Sequence, residues 1–343
     1  MAIKNISAGN NVLIDIEDFL YRIKVFRIGF GISVGLIFIL GFLGNLSVIV
    51  TIVKSRRNKT LMYYLILNLA IYDILVVLTL PLVTTRNLLF YWPFGWFLCF
   101  ILRTIIYLLT FGSISTMVAI SIDRYLVVLH ATSPIRRKIN KKLVTVIVFV
   151  WSLIITIPFI VFTIYDTSLP ALPQCYMRFS TNLEIEWVAQ QIFSAVVFGL
   201  LFACPLLVVS VVYYRLLMTL RQRSKENDAG ISPTYAKAIK KTIKMALIIN
   251  TTFILCWIPW YLCLFITIYN RRVPLNLQFH YYVLLAGCHT VSFLHSVINP
   301  IIYASFMQDF RRPLLQLNYL MQTFGNCFIN TLCTRLCNNS VNP

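Results

Sequence analysis

The sequence predicts an all-α membrane protein: a seven-transmembrane helix bundle followed by a short amphipathic helix on the inner leaflet. Three observations carry this reading. The 343 residues are 59% apolar and only 12% charged, with mean hydropathy +0.80, far outside the soluble globular range. Seven windows exceed the ~18 apolar residues that a spanning helix needs, and only Asp73 and Arg103 are charged within them. With the first terminus outside and seven crossings, 21 of the 30 Lys and Arg fall on the inner side and nine outside, the positive-inside pattern. The net charge of +19 therefore reports orientation, and contact with anionic lipid or a cytoplasmic partner, and argues against nucleic acid.

Residues 1–27 are expected to form an extracellular tail. It lacks the apolar core of a cleavable signal peptide, so the first span itself must direct insertion. Asn5-Ile6-Ser7 in this tail is a glycosylation sequon. The membrane domain is expected to run from 28 to 306, an amphipathic helix from 307 to 318 and a cytoplasmic tail from 319 to 343.

The first span, Ile28–Val53, carries Gly41 and Gly44 three residues apart, which permit close helix contact, and the amide of Asn45. The second, Leu61–Thr85, holds Asn68-Leu69-Ala70-Ile71-Tyr72-Asp73 and a kinking Pro81. The third, Phe100–Ile122, lies within the 32-residue stretch Cys99–His130, charged only at Arg103, Asp123 and Arg124. Helical periodicity puts Arg103, Ile106, Thr110, Ser113, Met117 and Arg124 on one stripe. Lipid offers polar groups no partner, so this span is expected to be a central strut with other helices packed around it.

Trp151 and Pro158 mark the fourth span, Leu143–Tyr165, and Pro205 and Tyr213 the fifth, Trp187–Tyr214. The sixth, Met245–Asn270, contains Phe253 and Cys256-Trp257-Ile258-Pro259; the seventh, Val273–Phe306, ends in Asn299-Pro300-Ile301-Ile302-Tyr303. Beyond it, Phe306, Phe310, Leu314 and Leu317 share one helical face. Of the nine cysteines, only Cys99 and Cys175 sit at the outer face, where a disulfide is expected. Cys204, Cys256, Cys263 and Cys288 lie within spans as packing residues; Cys327, Cys333 and Cys337 in the tail are candidates for lipidation.

Taken in order, Asn45, the Leu69–Asp73 run, Asp123-Arg124-Tyr125, Trp151, Pro205 with Tyr213, the Cys-Trp-Ile-Pro of 256–259 and the Asn-Pro-Ile-Ile-Tyr of 299–303 resemble the seven span motifs of rhodopsin-like (class A) G-protein-coupled receptors. The resemblance covers residues 28–317, and Trp-Pro-Phe-Gly before Cys99 is most similar to the peptide-binding branch. It implies a plasma-membrane receptor with an extracellular N-terminus, an extracellular ligand, a heterotrimeric G protein and arrestin as partners, and no catalysis. An orphan, constitutively active or lipid/small-molecule receptor of the same fold would share every motif.

The resemblance assigns roles along the bundle. Asp73 with Ser113, Ser296 and Asn299 would hold a hydrated sodium ion; the alternative is a protonated, hydrogen-bonded acid that locks the helices. His295 stands where the family more often has Asn. Arg124 would pair with Asp123 at rest, but the family's second lock is missing, since its acid position on the sixth span is Ile239. Ile114, Pro205 and Phe253, with Trp257 one turn above, match a mid-bundle switch; Pro259 and Pro300 add bendable points, and Tyr303 completes the seventh-span motif.

Helical phase points Arg103, Ile106, Tyr107, Trp260, Tyr261, Leu264, His289 and Phe293 into an outer cavity. Ile106 stands where amine receptors carry an acid, and Phe293 where visual pigments carry the retinal lysine, which disfavours an amine and excludes a retinal Schiff base. No cofactor beyond sodium is expected. Arg103 needs a counter-charge, either from Asp166, Glu184 or Glu186 of the outer loop or from a ligand. Serine chemistry from Ser113 with His289 or His295 is disfavoured, because Ser113 lies on the buried stripe below the cavity and no oxyanion-hole glycine loop is present; an aspartyl mechanism would need a second acid facing Asp73.

Overall fold

The computed structural model describes residues 2–55, 60–129, 141–169, 171–225, 233–269 and 278–311. The tail cysteines 327, 333 and 337, positions 312–318 of the expected amphipathic helix and the side chains of 2–20, Asn5 among them, lie outside the described set. Among the described residues, five helices are long and apolar enough to cross a membrane: Tyr21–Lys54, Leu61–Leu89, Gly95–Val128, Lys240–Tyr269 and Phe279–Phe306. Two shorter apolar helices, Lys142–Ile157 and Cys204–Thr219, fall at the fourth and fifth positions.

The first span belongs to a 53-residue helix, Ala2–Lys54, which runs back through the segment expected as a tail. No proline interrupts residues 2–54, so nothing in the chain forces an end before the membrane. The second helix, Leu61–Leu89, stops where Phe90 takes a left-handed conformation (φ 63°) and returns its N–H to the Arg86 carbonyl. The third, Gly95–Leu129, packs against the second, fourth, fifth and sixth spans and is the central strut.

The fourth helix, Lys141–Val161, ends before its expected limit, and the chain enters a two-stranded antiparallel hairpin. Strand β1 (Thr163–Asp166) pairs with β2 (Gln174–Met177) in the register Tyr165 to Cys175 and Asp166 to Gln174. This strand pair is a small departure from an all-α reading. Strand β1 mixes β-branched and aromatic residues with a polar one, and β2 carries Tyr176 between Cys175 and Met177, a composition that suits a half-buried ribbon. Cys175 is bonded to Cys99 with Cα atoms 5.7 Å apart, so the hairpin is fastened over the third span.

At the fifth position a helix Leu183–Phe198 is capped by Asn182, whose side chain accepts from the N–H groups of Glu184 and Ile185. It passes through a wide π-turn, Gly199–Ala203, before continuing as Cys204–Lys225. Pro205 has no N–H for the carbonyl four residues back and its ring crowds that carbonyl; a wider turn relieves both. The sixth helix, Pro233–Tyr269, starts with proline at its first position, where a missing N–H costs nothing. The seventh span is two helices, Gln278–Ser292 and Leu294–Phe306, joined at a turn on Phe293. After Met307, residues 308–311 form another helical turn, and Phe310 packs on Tyr63 and Tyr303 with centroids 6.2 and 6.1 Å away.

Candidate functional site

A cavity of about 510 Å³ opens between the second, third, sixth and seventh spans beneath the hairpin. Arg103, Ile106 and Tyr107 supply the wall from the third span, Trp260 and Leu264 from the sixth, and His289 from the seventh. The His289 ring sits 4.5 Å, centroid to centroid, from Trp260. Arg103 donates from Nη2 to the carbonyl of Cys175 at 3.3 Å, so the disulfide that places the hairpin also places this guanidinium.

Two expected lining residues do not line the cavity. Tyr261 is turned about 100° from Trp260 around the sixth helix and is buried against Phe198 and Phe202 of the fifth span, at 5.1 and 5.5 Å. Phe293 sits in the turn that breaks the seventh span, so the phase of an unbroken helix misplaces it. It is buried in a cluster with residues of the first and second spans.

The structure adds lining residues that helical phase missed: Arg86 and Asn87 from the second span, Phe90, Gln174 of the hairpin, and Tyr282 on the seventh. Tyr282 donates its hydroxyl to the Asn87 carbonyl at 2.6 Å. Closing the second window at Thr85 left Arg86 in a loop, whereas the helix runs on to Leu89. A charged residue within one turn of a span's end was the available signal.

The acids expected near Arg103 are elsewhere, and none lines the cavity. Glu186 accepts the N–H groups of Phe179 and Ser180 at 2.7 and 2.8 Å and the amide of Gln190 at 2.7 Å. Asp166 accepts from the hydroxyl and N–H of Ser168 and from the Tyr176 hydroxyl. Those bonds, the Ser168 hydroxyl first, hold its carboxyl down to about 2, and the same contact raises Tyr176. Glu184 lies exposed on the first turn of the helix that Asn182 caps.

Below the cavity an aromatic series leads inward. Trp257 stacks on Phe253 at 5.6 Å, and the His295 ring stands edge-on to Phe253 at 5.2 Å. His295 reaches the buried acid: its Nε2 is 3.6 Å from Oδ1 of Asp73. Asp73, fully buried, accepts from the Ser296 hydroxyl at 3.0 Å and from Nδ2 of Asn299 at 2.8 Å. Oγ of Ser113 and Oδ1 of Asn299 are buried without a hydrogen-bond partner among the described residues. Ser296, Asn299 and His295 are thus gathered around Asp73, while Ser113 is buried on the third span.

Ile114, Pro205 and Phe253 line a void of about 30 Å³ with Asn250, between the third, fifth and sixth spans. Such a gap leaves room for side chains to repack without first expelling a neighbour. Asn250 donates to Oγ of Ser121 at 3.2 Å, and Tyr213 is buried nearby in the same core. At the far end of the third helix Arg124 pairs with the adjacent Asp123, both nearly buried. Tyr125, beside them, is partly buried against the core, and Tyr303 is fully buried. Trp151 faces outward on the fourth helix, 56% exposed, among apolar side chains that suit lipid.

An aromatic cavity at one end of a helical membrane bundle, a buried acid at mid-depth and an Arg–Asp pair at the other end describe a membrane receptor. The sequence matches the family described as 7 transmembrane receptor (rhodopsin family) over residues 44–303. It is 29% identical over 279 residues to the human neuropeptides B/W receptor type 2, covering 79% of this chain and 80% of that one. It is 31% identical over 290 residues to the rat (Rattus norvegicus) neuropeptides B/W receptor type 1, covering 82% and 84%. Bovine (Bos taurus) somatostatin receptor type 5 is 28% identical over 292 residues, covering 83% and 74%. The chain belongs to the rhodopsin family of seven-transmembrane receptors.

Proposed function

We propose that this protein is a plasma-membrane receptor, N-terminus outside, which binds an extracellular peptide in the cavity and activates a heterotrimeric G protein through movement of the fifth and sixth spans. The observation that carries the reading is the run of side chains on the sixth helix from the cavity to the void beside Pro205. Trp260 lines the cavity, and Trp257, one turn further in on the same helix, stacks on Phe253, which borders the void beside Pro205. A ligand pressing on Trp260 would shift the sixth helix at Pro259, a point where a proline already weakens the hydrogen-bond ladder. Arg124, freed from Asp123, would then face the groove that opens for the G protein, and later arrestin. The peptide class is supported by the names of the relatives, neuropeptide and somatostatin receptors.

Sodium is part of the proposal. Oδ1 of Asn299 is left over beside the buried carboxylate of Asp73, and the buried Ser113 hydroxyl has no partner among the described residues; oxygens of this kind are the donors a hard cation prefers, so the residues fit the ion. Asp73, Ser113 and Asn299 would hold it, and its charge would offset that of Asp73.

Screening peptide extracts on cells expressing the chain, with calcium and cyclic-AMP readouts, tests the function. A dose-dependent response that is absent from untransfected cells is expected. High basal signalling that no extract changes would favour a constitutively active receptor instead, for which the missing acid at Ile239 is the supporting observation.

A further inference from the structure

Arg86 and Arg103 line the same cavity, and their positive charges act on each other across it. Among the described residues, Arg103 has one side-chain hydrogen bond, to a carbonyl, and Arg86 has none. Among the described residues no carboxylate lines the cavity, and the outer-loop acids Asp166 and Glu186 are held by other donors. A third cation adds to the field at the mouth: Arg27 lies 5.9 Å above the ring of Phe90, itself a lining residue. Two guanidiniums facing one space without a counter-charge repel and give up hydration. An anion placed between them removes both penalties at once, and guanidinium groups match a carboxylate in shape as well as charge. The remaining walls are aromatic and aliphatic: Ile106, Tyr107, Trp260, Leu264 and His289.

We infer that the cavity is a carboxylate cradle, in which Arg86 and Arg103 together receive an acidic group of the peptide while an apolar neighbour of that group packs on Trp260 and His289. The inference rests on the peptide reading of the cavity and narrows it to ligands that lead with an anion. Free C-terminus and acidic side chain offer the same chemistry to the cradle.

The test uses the purified full-length receptor, immobilised and incubated with a synthetic hexapeptide library made twice, as free acids and as C-terminal amides. Retained peptides are identified by mass spectrometry for the wild type, Arg86→Gln, Arg103→Gln and the charge-keeping Arg86→Lys. The wild type is expected to retain anionic peptides at least ~10-fold over neutral amides, the size of effect a charge-assisted bond produces. Retention of free acids whatever their side chains identifies the C-terminus as the source. Retention of amides only when they contain Asp or Glu identifies the side chain. Each Gln variant should lose most of the preference and Arg86→Lys part of it, with melting temperatures of the empty proteins showing that they are folded. If a Gln variant does not fold, the wild-type preference must still collapse as salt is raised. Equal retention of acidic and neutral peptides, a preference unchanged in both folded Gln variants, or no retained peptide at all overturns the inference. Receptor-stimulated nucleotide exchange on G proteins, measured on the same preparation without peptide, judges the receptor reading separately.

Discussion

Asn45 donates from Nδ2 to the carbonyl of Ser296 at 2.7 Å, across 251 positions of sequence. That carbonyl is the one Pro300, four residues on, leaves without a helical N–H. Gly44 lets the first span come this close, since a Cβ there would stand 3.1 Å from Cγ of Pro300. Asn45→Ala should strand a buried carbonyl, at a cost of about 1–3 kcal/mol, and lower the melting temperature of the purified receptor. An unchanged melting temperature would show that the bond is dispensable.

Gly112 meets Tyr72 more tightly still. A Cβ at 112 would lie 2.3 Å from Cζ of a ring that is itself buried. Gly112→Ala should destabilise by about 1–3 kcal/mol through overpacking, and Tyr72→Leu in the same protein should recover most of the loss. Thermal unfolding of the two variants side by side decides; no rescue by Tyr72→Leu would place the strain elsewhere.

What could be read in the sequence follows from what a bilayer penalises. Asp73, Asn45 and Arg124 were legible because each is costly in lipid unless partnered, and the structure partners each of them. The hairpin was not, because Thr163-Ile164-Tyr165 continues the apolar run of the fourth span and only the pairing with Gln174–Met177 turns it into a strand. Phe293 was misplaced because its phase depends on a turn that no proline or glycine beside it announces. Arg86 was missed because hydropathy ended its helix a turn early, although charge is what makes it informative.

Acid should loosen the hairpin. Asp166 is held at about 2 by Ser168 and Tyr176, below the ordinary carboxylate value. A depressed carboxylate contributes stability above its unfolded pKa and loses it as pH falls, here between about 4 and 2. Amide exchange across 163–177 should therefore accelerate over that window, and Asp166→Asn should show the faster exchange already at neutral pH. Exchange in the variant that matches the wild type at neutral pH would contradict this.

Asp123 is the ion-pair partner of Arg124, and the Ile239 position offers no second acid. Asp123→Asn should release Arg124 and raise basal nucleotide exchange several-fold, leaving peptide affinity equal or higher. The comparison needs equal surface expression. Basal exchange at the wild-type level would mean that Asp123 does not restrain the resting state.

The last prediction concerns the acid at mid-depth. A cation held among Asp73, Ser113 and Asn299 would favour the closed packing of the helices that carry them, so sodium should weaken binding of a peptide agonist. Linkage then requires the agonist to weaken sodium by the same factor, with couplings of about 1–3 kcal/mol being typical. Asp73→Asn should abolish the sodium effect, because the charge that attracts the ion is gone, while the cavity above is untouched. His295 supplies a second arm. Its Nε2 lies 3.6 Å from the Asp73 oxygen that Ser296 also serves. His295→Asn should keep the sodium effect, since it leaves Asp73, Ser296 and Asn299 in place. Agonist competition curves with and without sodium, run on wild type and both variants, separate the cases. Equal sodium sensitivity in wild type and Asp73→Asn would leave Asp73 as a structural lock, held by Ser296 and Asn299 alone.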